Sequence, residues 1–411
     1  MSPGRRDEEE CVESRASPRG GPDSRPAGSR GRRSLEWSHR ESRDAVVDDL
    51  ALWDGVRQTC RRRGTGKEDA MRVGMDVGRS GVKAETDTGR LLALPVLARL
   101  PEDPEWRDRG GLDRLVQTNG IAYLESWCLG YNAEDWLVGE RVETLGLPGQ
   151  YGMTVTKADP STRLLLLAAL SALGANDRVE VCVGLPLHQF EREGQAMRSL
   201  LRGEHKIRVA GHEHTLTLLG VVVPEGLGLW ARAVIPDGHQ PDPHLVRQPT
   251  VVLDFGHRTI QVGVFSGLRL YPRPYVSAHG AYEIWEAALM EALEGPGQTV
   301  YESPQRAVLL ARLLREEQLL VRGQQVTLDR LRPLLRAQAE RIWPRVREEI
   351  RRTLEQIPYE RVVAGGGGVH LFGELLRDFF GEGLVVLEDR FAQAEGYRLF
   401  LEHRAFFRGG A

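Results

Sequence analysis

Three short segments hold residue types whose spacing suits phosphate chemistry. Asp76-Val77-Gly78-Arg79-Ser80-Gly81-Val82-Lys83 ends a buried strand in a tight turn. Small residues there let backbone N–H groups approach phosphate oxygens, and Lys83 adds a compact positive charge. An Asp at the strand end can hold Mg2+, often through its waters. Asp254-Phe255-Gly256-His257-Arg258-Thr259 repeats the Asp-x-Gly pattern between two strands. Gly365 to Gly368 lie between a strand and a helix, where missing side chains let a base and an α-phosphate rest on backbone at a helix N-terminus. Each segment alone also reads as an ordinary turn or loop. Their order is more specific: one Asp-x-Gly hairpin opens each half, and the Gly run comes late in the second.

Hydrophobic patterning supplies the elements that must position these residues. Strands are expected at Arg72–Val77, Gly81–Thr86 and Leu91–Val96, then an irregular stretch and a strand at Trp136–Glu140. A helix at Ser161–Leu173, a strand at Arg178–Val183 and a hairpin at Ile207–Val223, turning at Gly211–His212, follow. Glu225–Val234 reads as a short helix, and Pro236–Pro249 as a domain joint. The opening pattern then recurs at Thr250–Leu253, Thr259–Phe265 and Leu268–Tyr271. Helices are expected at Ala278–Glu294, Pro304–Leu314 and Leu328–Gln356, the last kinked at Pro344. Strand Arg361–Ala364, helix Val369–Phe380, strand Leu384–Leu387 and helix Phe391–Ala405 close the chain. Two halves with the same strand–turn–strand opening imply a duplicated α/β fold.

The 411 residues suffice for two domains, and a formal charge of −3 gives no electrostatic reason for direct nucleic-acid binding. No apolar run is long enough to span a membrane, and no signal peptide is visible at the start, so a cytoplasmic protein is expected. Cys11, Cys60, Cys128 and Cys182 stand too far apart for a zinc or disulfide framework. His212 and His214 share one strand face without a third ligand nearby. Only four of the 55 basic residues are lysines (Lys67, Lys83, Lys157, Lys206), a bias that suits a GC-rich genome and draws attention to Lys83. Residues 1–70 are rich in Gly, Pro, Ser, Arg and Glu and are expected to be a disordered tail. Lys67-Glu68-Asp69 can be encoded by a purine-rich, ribosome-binding-like sequence, which makes Met71 a candidate natural start.

In these segments the chain resembles the actin-like ATPases, and more closely their bacterial plasmid-segregation branch, ParM/StbA. GMDVGRSGVKA resembles the first phosphate loop, VVLDFGHRTIQVGVF the second, and VVAGGGGVHLF the adenosine loop. DWLVGERV, VCVGLPLHQF, VVVPEGLG and RFAQAEGYRLF resemble further segments of the branch, and the likeness runs from about Met71 to Phe406. It implies an α/β, actin-like (ribonuclease H-like, duplicated) two-domain nucleotide-binding fold. Domain I would span 71–248 and domain II 249–411, with the final helix packing back on domain I. Asp76 and Asp254 would orient Mg2+. Gly78, Ser80 and Lys83 would contact the β- and γ-phosphates of ATP or GTP from one side, Gly256 and Thr259 from the other. Gly366 and Gly367 would line the base and ribose, with Arg79, Gly81, His257 and Gly365 completing the nucleotide-binding set. Glu225 matches the family glutamate that positions the attacking water, although a Glu is also favoured at a helix N-terminus by the dipole alone.

The second loop departs from the family at bulky His257-Arg258, and at Gln261 where an acidic residue often stands. Those changes spare backbone contacts but bear on the hydrolysis rate. Arg258 could reach the γ-phosphate or stay solvated. The resemblance implies a nucleotide triphosphatase that forms head-to-tail filaments and positions DNA, with a DNA-bound adaptor protein as a possible partner. The alternatives are a non-polymerising, nucleotide-gated assembly factor or chaperone, and a small-molecule kinase on the same fold.

Overall fold

A computed structural model describes residues 70–102, 112–151, 156–236, 240–271, 275–277, 279–293, 303–321, 323–355 and 357–408. The tail expected at 1–70 and the candidate start context before Met71 lie, but for residue 70, outside the described residues. All described residues belong to one compact unit. None of its helices is long and apolar enough to cross a membrane.

In chain order the strands are β1 (Met71–Gly78), β2 (Gly81–Glu85), β3 (Arg90–Ala93), β4 (Val96–Arg99), β5 (Arg114–Thr118), β6 (Ile121–Tyr131), β7 (Glu134–Val138), β8 (Gln150–Tyr151), β9 (Arg178–Leu185), β10 (Arg202–Val209) and β11 (His212–Pro224). They form one sheet in the order β10-β11-β9-β1-β2-β3-β6-β7-β4-β8, with β5 on β6. Helices α1 (Arg141–Thr144), α2 (Pro160–Ala172), α3 (Phe190–Leu200), α4 (Leu227–Val234) and α5 (Pro243–Arg247) belong to this half of the sequence.

A second sheet holds β12 (Thr250–Phe255), β13 (Ile260–Ser266), β14 (Arg269–Leu270), β15 (Tyr275–Val276), β18 (Arg361–Gly365) and β19 (Leu384–Val386). Its order is β14-β13-β12-β18-β19, with β15 on β13. Helices α6 (Ala281–Leu293), α7 (Ser303–Glu316) and α8 (Leu328–Leu354), the hairpin β16 (Gln318–Val321)–β17 (Gln324–Thr327), α9 (Gly373–Phe380) and α10 (Ala392–Arg408) complete it. The kink expected at Pro344 does not divide α8, which runs on through Pro333 and Pro344.

The two sheets open alike. β1 pairs antiparallel with β2 and parallel with β9; β12 pairs antiparallel with β13 and parallel with β18. Strands β9 and β12 are buried along nearly their whole length, as strands covered on both faces must be, and so are mostly apolar, with Glu180 and Asp254 the buried exceptions. Asp76, Leu185, Glu225, Asp254 and Gly365 all stand at or just beyond the carboxyl ends of strands. In open α/β sheets that edge is where ligands bind.

The stretch expected to be irregular contains β5 and β6, joined at Asn119-Gly120 with φ of 52° and 75°. Both turn residues need positive φ, which Asn and Gly tolerate, so this dipeptide is a hairpin signal. The single strand expected at Leu91–Val96 is two, interrupted at Leu94-Pro95, because Pro cannot donate to the ladder.

Helix α10 lies against β1 and α4 at unusually close range. A Cβ on Gly396 would fall 1.7 Å from the Gly228 carbonyl oxygen, and one on Gly74 would fall 1.9 Å from that of Ala394. Glycine at these positions lets backbone meet backbone. The last helix therefore docks on the first sheet while Gln393, in its first turn, reaches the loops between the sheets.

Candidate functional site

The two hairpins superimpose in register as well as in sequence. Asp76 faces Lys83 across β1–β2, and Asp254 faces Gln261 across β12–β13. The same backbone position thus carries a cation in one hairpin and an amide in the other. Lys83 Nζ donates to Asp76 Oδ2 at 2.8 Å. Burial alone would raise the Asp76 carboxyl, but the Lys83 and Lys157 charges, with hydrogen bonds from Lys83 and Gln393, hold it below the usual carboxylate range. Asp254 has no such cation pressed against it. Burial and the neighbouring Glu225 and Asp76 carboxylates push it up to about 7, against a hydrogen bond from Gln393 and the charge of Lys83.

Glu225 follows β11 but does not open a helix. Gly226, at φ 87°, is the cap, and α4 begins at Leu227. Its carboxylate is engaged on both sides: Lys157 Nζ donates to Oε1 and Gln261 Nε2 to Oε2. Gln261 Oε1 in turn accepts from the Leu187 backbone N–H at 2.9 Å. Gln393 Nε2 donates to Asp254 Oδ2 at 3.1 Å, while its Oε1 accepts from Gly226 N–H at 3.2 Å. Side chains of the second sheet and the last helix are therefore tied to loops of the first.

These groups line one cleft of about 540 Å³. Asp76, Gly78, Arg79, Ser80, Lys83, Glu225, Asp254, Gly256, His257, Thr259, Gly366 and Gly367 all border it. Gly81 and Gly365 do not: the space a Cβ would take there is filled by Leu92 and Leu229, at 2.8 and 2.6 Å. Gly366, at φ 93°, could carry no side chain, since a Cβ would meet Asp254 Oδ1 at 2.5 Å. At Gly367 the Lys83 ammonium is the sole neighbour within 4 Å, so its absent side chain opens the cleft itself. His257 packs against Tyr282 with the rings tilted, their centroids 4.8 Å apart. Burial and the charges of Arg258, Lys83 and Arg79 push its imidazole down to about 3, so it is neutral near pH 7.

Lys157, Gln393 and Gln189 also border the cleft. Two of the three lysines among the described residues, Lys83 and Lys157, sit here. In a chain that otherwise uses Arg, their scarcity was the available signal for Lys157, whose compact ammonium fits a buried carboxylate cluster. Gln393 carried no such signal.

The donor set suits a divalent cation. Burial and the Glu225 and Asp76 carboxylates together raise Asp254 to about 7, a surplus of negative charge that a bound cation would relieve. Among the described residues no three His, Cys, Asp or Glu side chains converge as a complete ligand set. His212 and His214 are exposed on β11 and form no such group.

A search of curated proteins finds no match. Residues 74–228 match the family model described as the actin-like proteins' N-terminal domain. The fold resembles an archaeal actin homolog, Ta0583, in complex with ADP, at TM-score 0.62 and 19% identity over 80% of this chain and 99% of that one. It also resembles Bacillus thuringiensis ParM with ATP, at TM-score 0.56 and 15% identity over 82% and 99%. A ParM from Clostridium botulinum, solved as a 15-stranded filament, aligns at TM-score 0.58 and 16% identity over 81% and 99%. The chain has the actin-like fold.

Proposed function

We propose that the chain is a Mg2+-dependent nucleotide triphosphatase that binds ATP or GTP in this cleft and assembles head to tail. The observation that carries it is the convergence of both Asp-x-Gly hairpins, from two sheets, on one cleft that also holds Glu225. Domains 71–248 and 249–411 would close around the nucleotide, with the segment at 236–249 as their joint.

Asp76 and Asp254 would hold Mg2+, which when bound neutralises charge on the phosphate oxygens. Backbone N–H groups of Gly78–Ser80 and Gly256–Thr259 would cradle those oxygens, with Lys83 between the loops and the Gly366–Gly367 backbone against the base and ribose. Glu225 would orient a water and accept its proton as the new oxygen–phosphorus bond forms and the bond to the departing diphosphate breaks. To do so, one Glu225 oxygen must exchange Lys157 or Gln261 for that water. The nucleotide complexes of Ta0583 and of the Bacillus thuringiensis protein support the ligand class, and the Clostridium botulinum filament supports self-assembly. A non-closing heterologous contact would build the polymer, and a DNA-bound adaptor would couple it to DNA in the cytoplasm.

A thermal-shift assay tests the site, because a ligand that binds only the folded state raises its melting temperature. Mg-ATP or Mg-GTP should stabilise the wild type, and Asp76→Ala and Asp254→Ala should each lose most of that shift. Equal shifts in all three proteins would refute the assignment.

A further inference from the structure

Six cationic side chains border the cleft: Arg79, Lys83, Lys157, Arg258, Arg315 and Arg390. Four are already engaged by the protein. Lys83 is paired with Asp76 and Lys157 with Glu225. Arg315 pairs with Glu140 at 3.0 Å, and Arg390 donates to the Tyr123 hydroxyl, its guanidinium lying 5.5 Å from the ring centroid. Among the described residues, Arg79 and Arg258 have neither an ion-pair nor a hydrogen-bond partner. They stand on the tips of the two hairpins, beyond Gly78 and Gly256, in loops that face one cleft from opposite sheets.

Two unpaired like charges beside one cleft repel: burial and the charge of the exposed Arg258 both act to lower the Arg79 pKa. A guanidinium forks to two phosphate oxygens at once, and an anion held between two of them turns repulsion into attraction. The base end of a nucleotide would lie at Gly366–Gly367, and the hairpin backbones and Lys83 suffice for the inner phosphates. Both tip arginines border the same cleft, so further anionic charge there would meet them.

We propose that Arg79 and Arg258 form a two-arginine clamp on the terminal phosphate of a bound nucleoside triphosphate, one guanidinium supplied by each hairpin. The clamp rests on the nucleotide function proposed above and adds to it the discrimination of triphosphate from diphosphate. It draws the two hairpins together while the terminal phosphate is present. After hydrolysis the departing phosphate takes the clamp's ligand with it, leaving the diphosphate held by the hairpin backbones and Lys83.

Calorimetric titration of the full-length chain with Mg2+ and a non-hydrolysable adenosine or guanosine triphosphate, and separately with the matching diphosphate, tests this. Arg79→Ala and Arg258→Ala should each weaken triphosphate binding by on the order of 10-fold, the scale of a charged hydrogen bond. Diphosphate affinity should change by no more than about 3-fold in the same proteins. The double variant without ligand should melt no lower than the wild type, since the repulsion is gone. Equal losses for both nucleotides, or no loss for either, would overturn the clamp while leaving the nucleotide site intact. A wild type that binds neither nucleotide would overturn the nucleotide site itself, and the clamp with it.

Discussion

At the scale of single residues, the role proposed for Glu225 would decide whether the cleft can do more than bind. Its carboxylate is buried and held by Lys157 and Gln261. Glu225→Gln keeps the shape and still hydrogen-bonds, but it removes the charge that orients and deprotonates a water. Nucleotide affinity should stay within about 3-fold while phosphate release slows at least ~10-fold, or ~1.4 kcal/mol of barrier. Unchanged release from a folded variant would hand the role to another residue, with Gln189 and Gln261 the next to test. Asp76, Asp254 and Glu225 were legible because each sits in a local pattern: a strand, a turn, a small residue. Lys157 and Gln393 were not, because each meets its partner only through the fold, 68 residues from Glu225 and 139 from Asp254.

Elements place these residues, and glycine determines how closely the elements approach. In an exposed helix interior Gly→Ala gains about 1 kcal/mol. At Gly396 the sign should reverse, since the added methyl would meet the Gly228 carbonyl at 1.7 Å and force α10 away from α4. Gly396→Ala should lower the melting temperature by several degrees, and a rise would show that α10 can shift without loss. On the other flank of α10, Glu85 of β2 is pushed up to about 7 by burial, with Glu395 and Asp389 adding to it and Arg90 and Arg398 opposing. Its ordinary value is 4.5, so between 4.5 and 7 the folded chain keeps a proton that the unfolded chain releases. That contribution to stability is complete below about 4.5 and is lost as pH rises through 7. Glu85→Gln should therefore gain melting temperature relative to wild type between pH 5 and pH 8, and a constant difference would mean the arginines keep Glu85 ionised throughout. The repeated hairpins and most strands were readable from apolar runs bounded by Gly and Asp. The β5–β6 pair was hidden by its polar, aromatic-interleaved sequence despite Asn119-Gly120, and the close approach of α10 depends on contacts that no local pattern encodes.

At the scale of the whole molecule, the two sheets share one apolar contact, where Val252, Phe265 and Val363 pack with α4 into the first sheet's core, and around the cleft they are joined by polar ties. Gln261 reaches Glu225 and the Leu187 N–H, Arg315 reaches Glu140, and Gln393 links Asp254 to Gly226. Away from that contact the apolar core divides, with most of β12–β13 and α6–α8 in one cluster and β1–β2, β9 and α10 in another. Polar ties can exchange partners at small net cost, whereas a shared apolar core cannot, so the cleft is the place where the molecule can change shape. A triphosphate engages both hairpins at once and should favour one relative placement of the sheets; a diphosphate, with less charge to span the cleft, should favour it less. Contacts between neighbours in a head-to-tail polymer involve surfaces of both halves, so their fit depends on that placement. Light scattering of purified protein at tens of micromolar should therefore rise with Mg2+ and a non-hydrolysable triphosphate and stay low with diphosphate, and pelleted material should show filaments by negative-stain microscopy. Glu225→Gln, which binds but hydrolyses slowly, should pellet like wild type and keep scattering after the wild-type signal has decayed. A protein that binds triphosphate yet remains monomeric under all these conditions would remove filament assembly from its function and leave a nucleotide-gated monomer in its place.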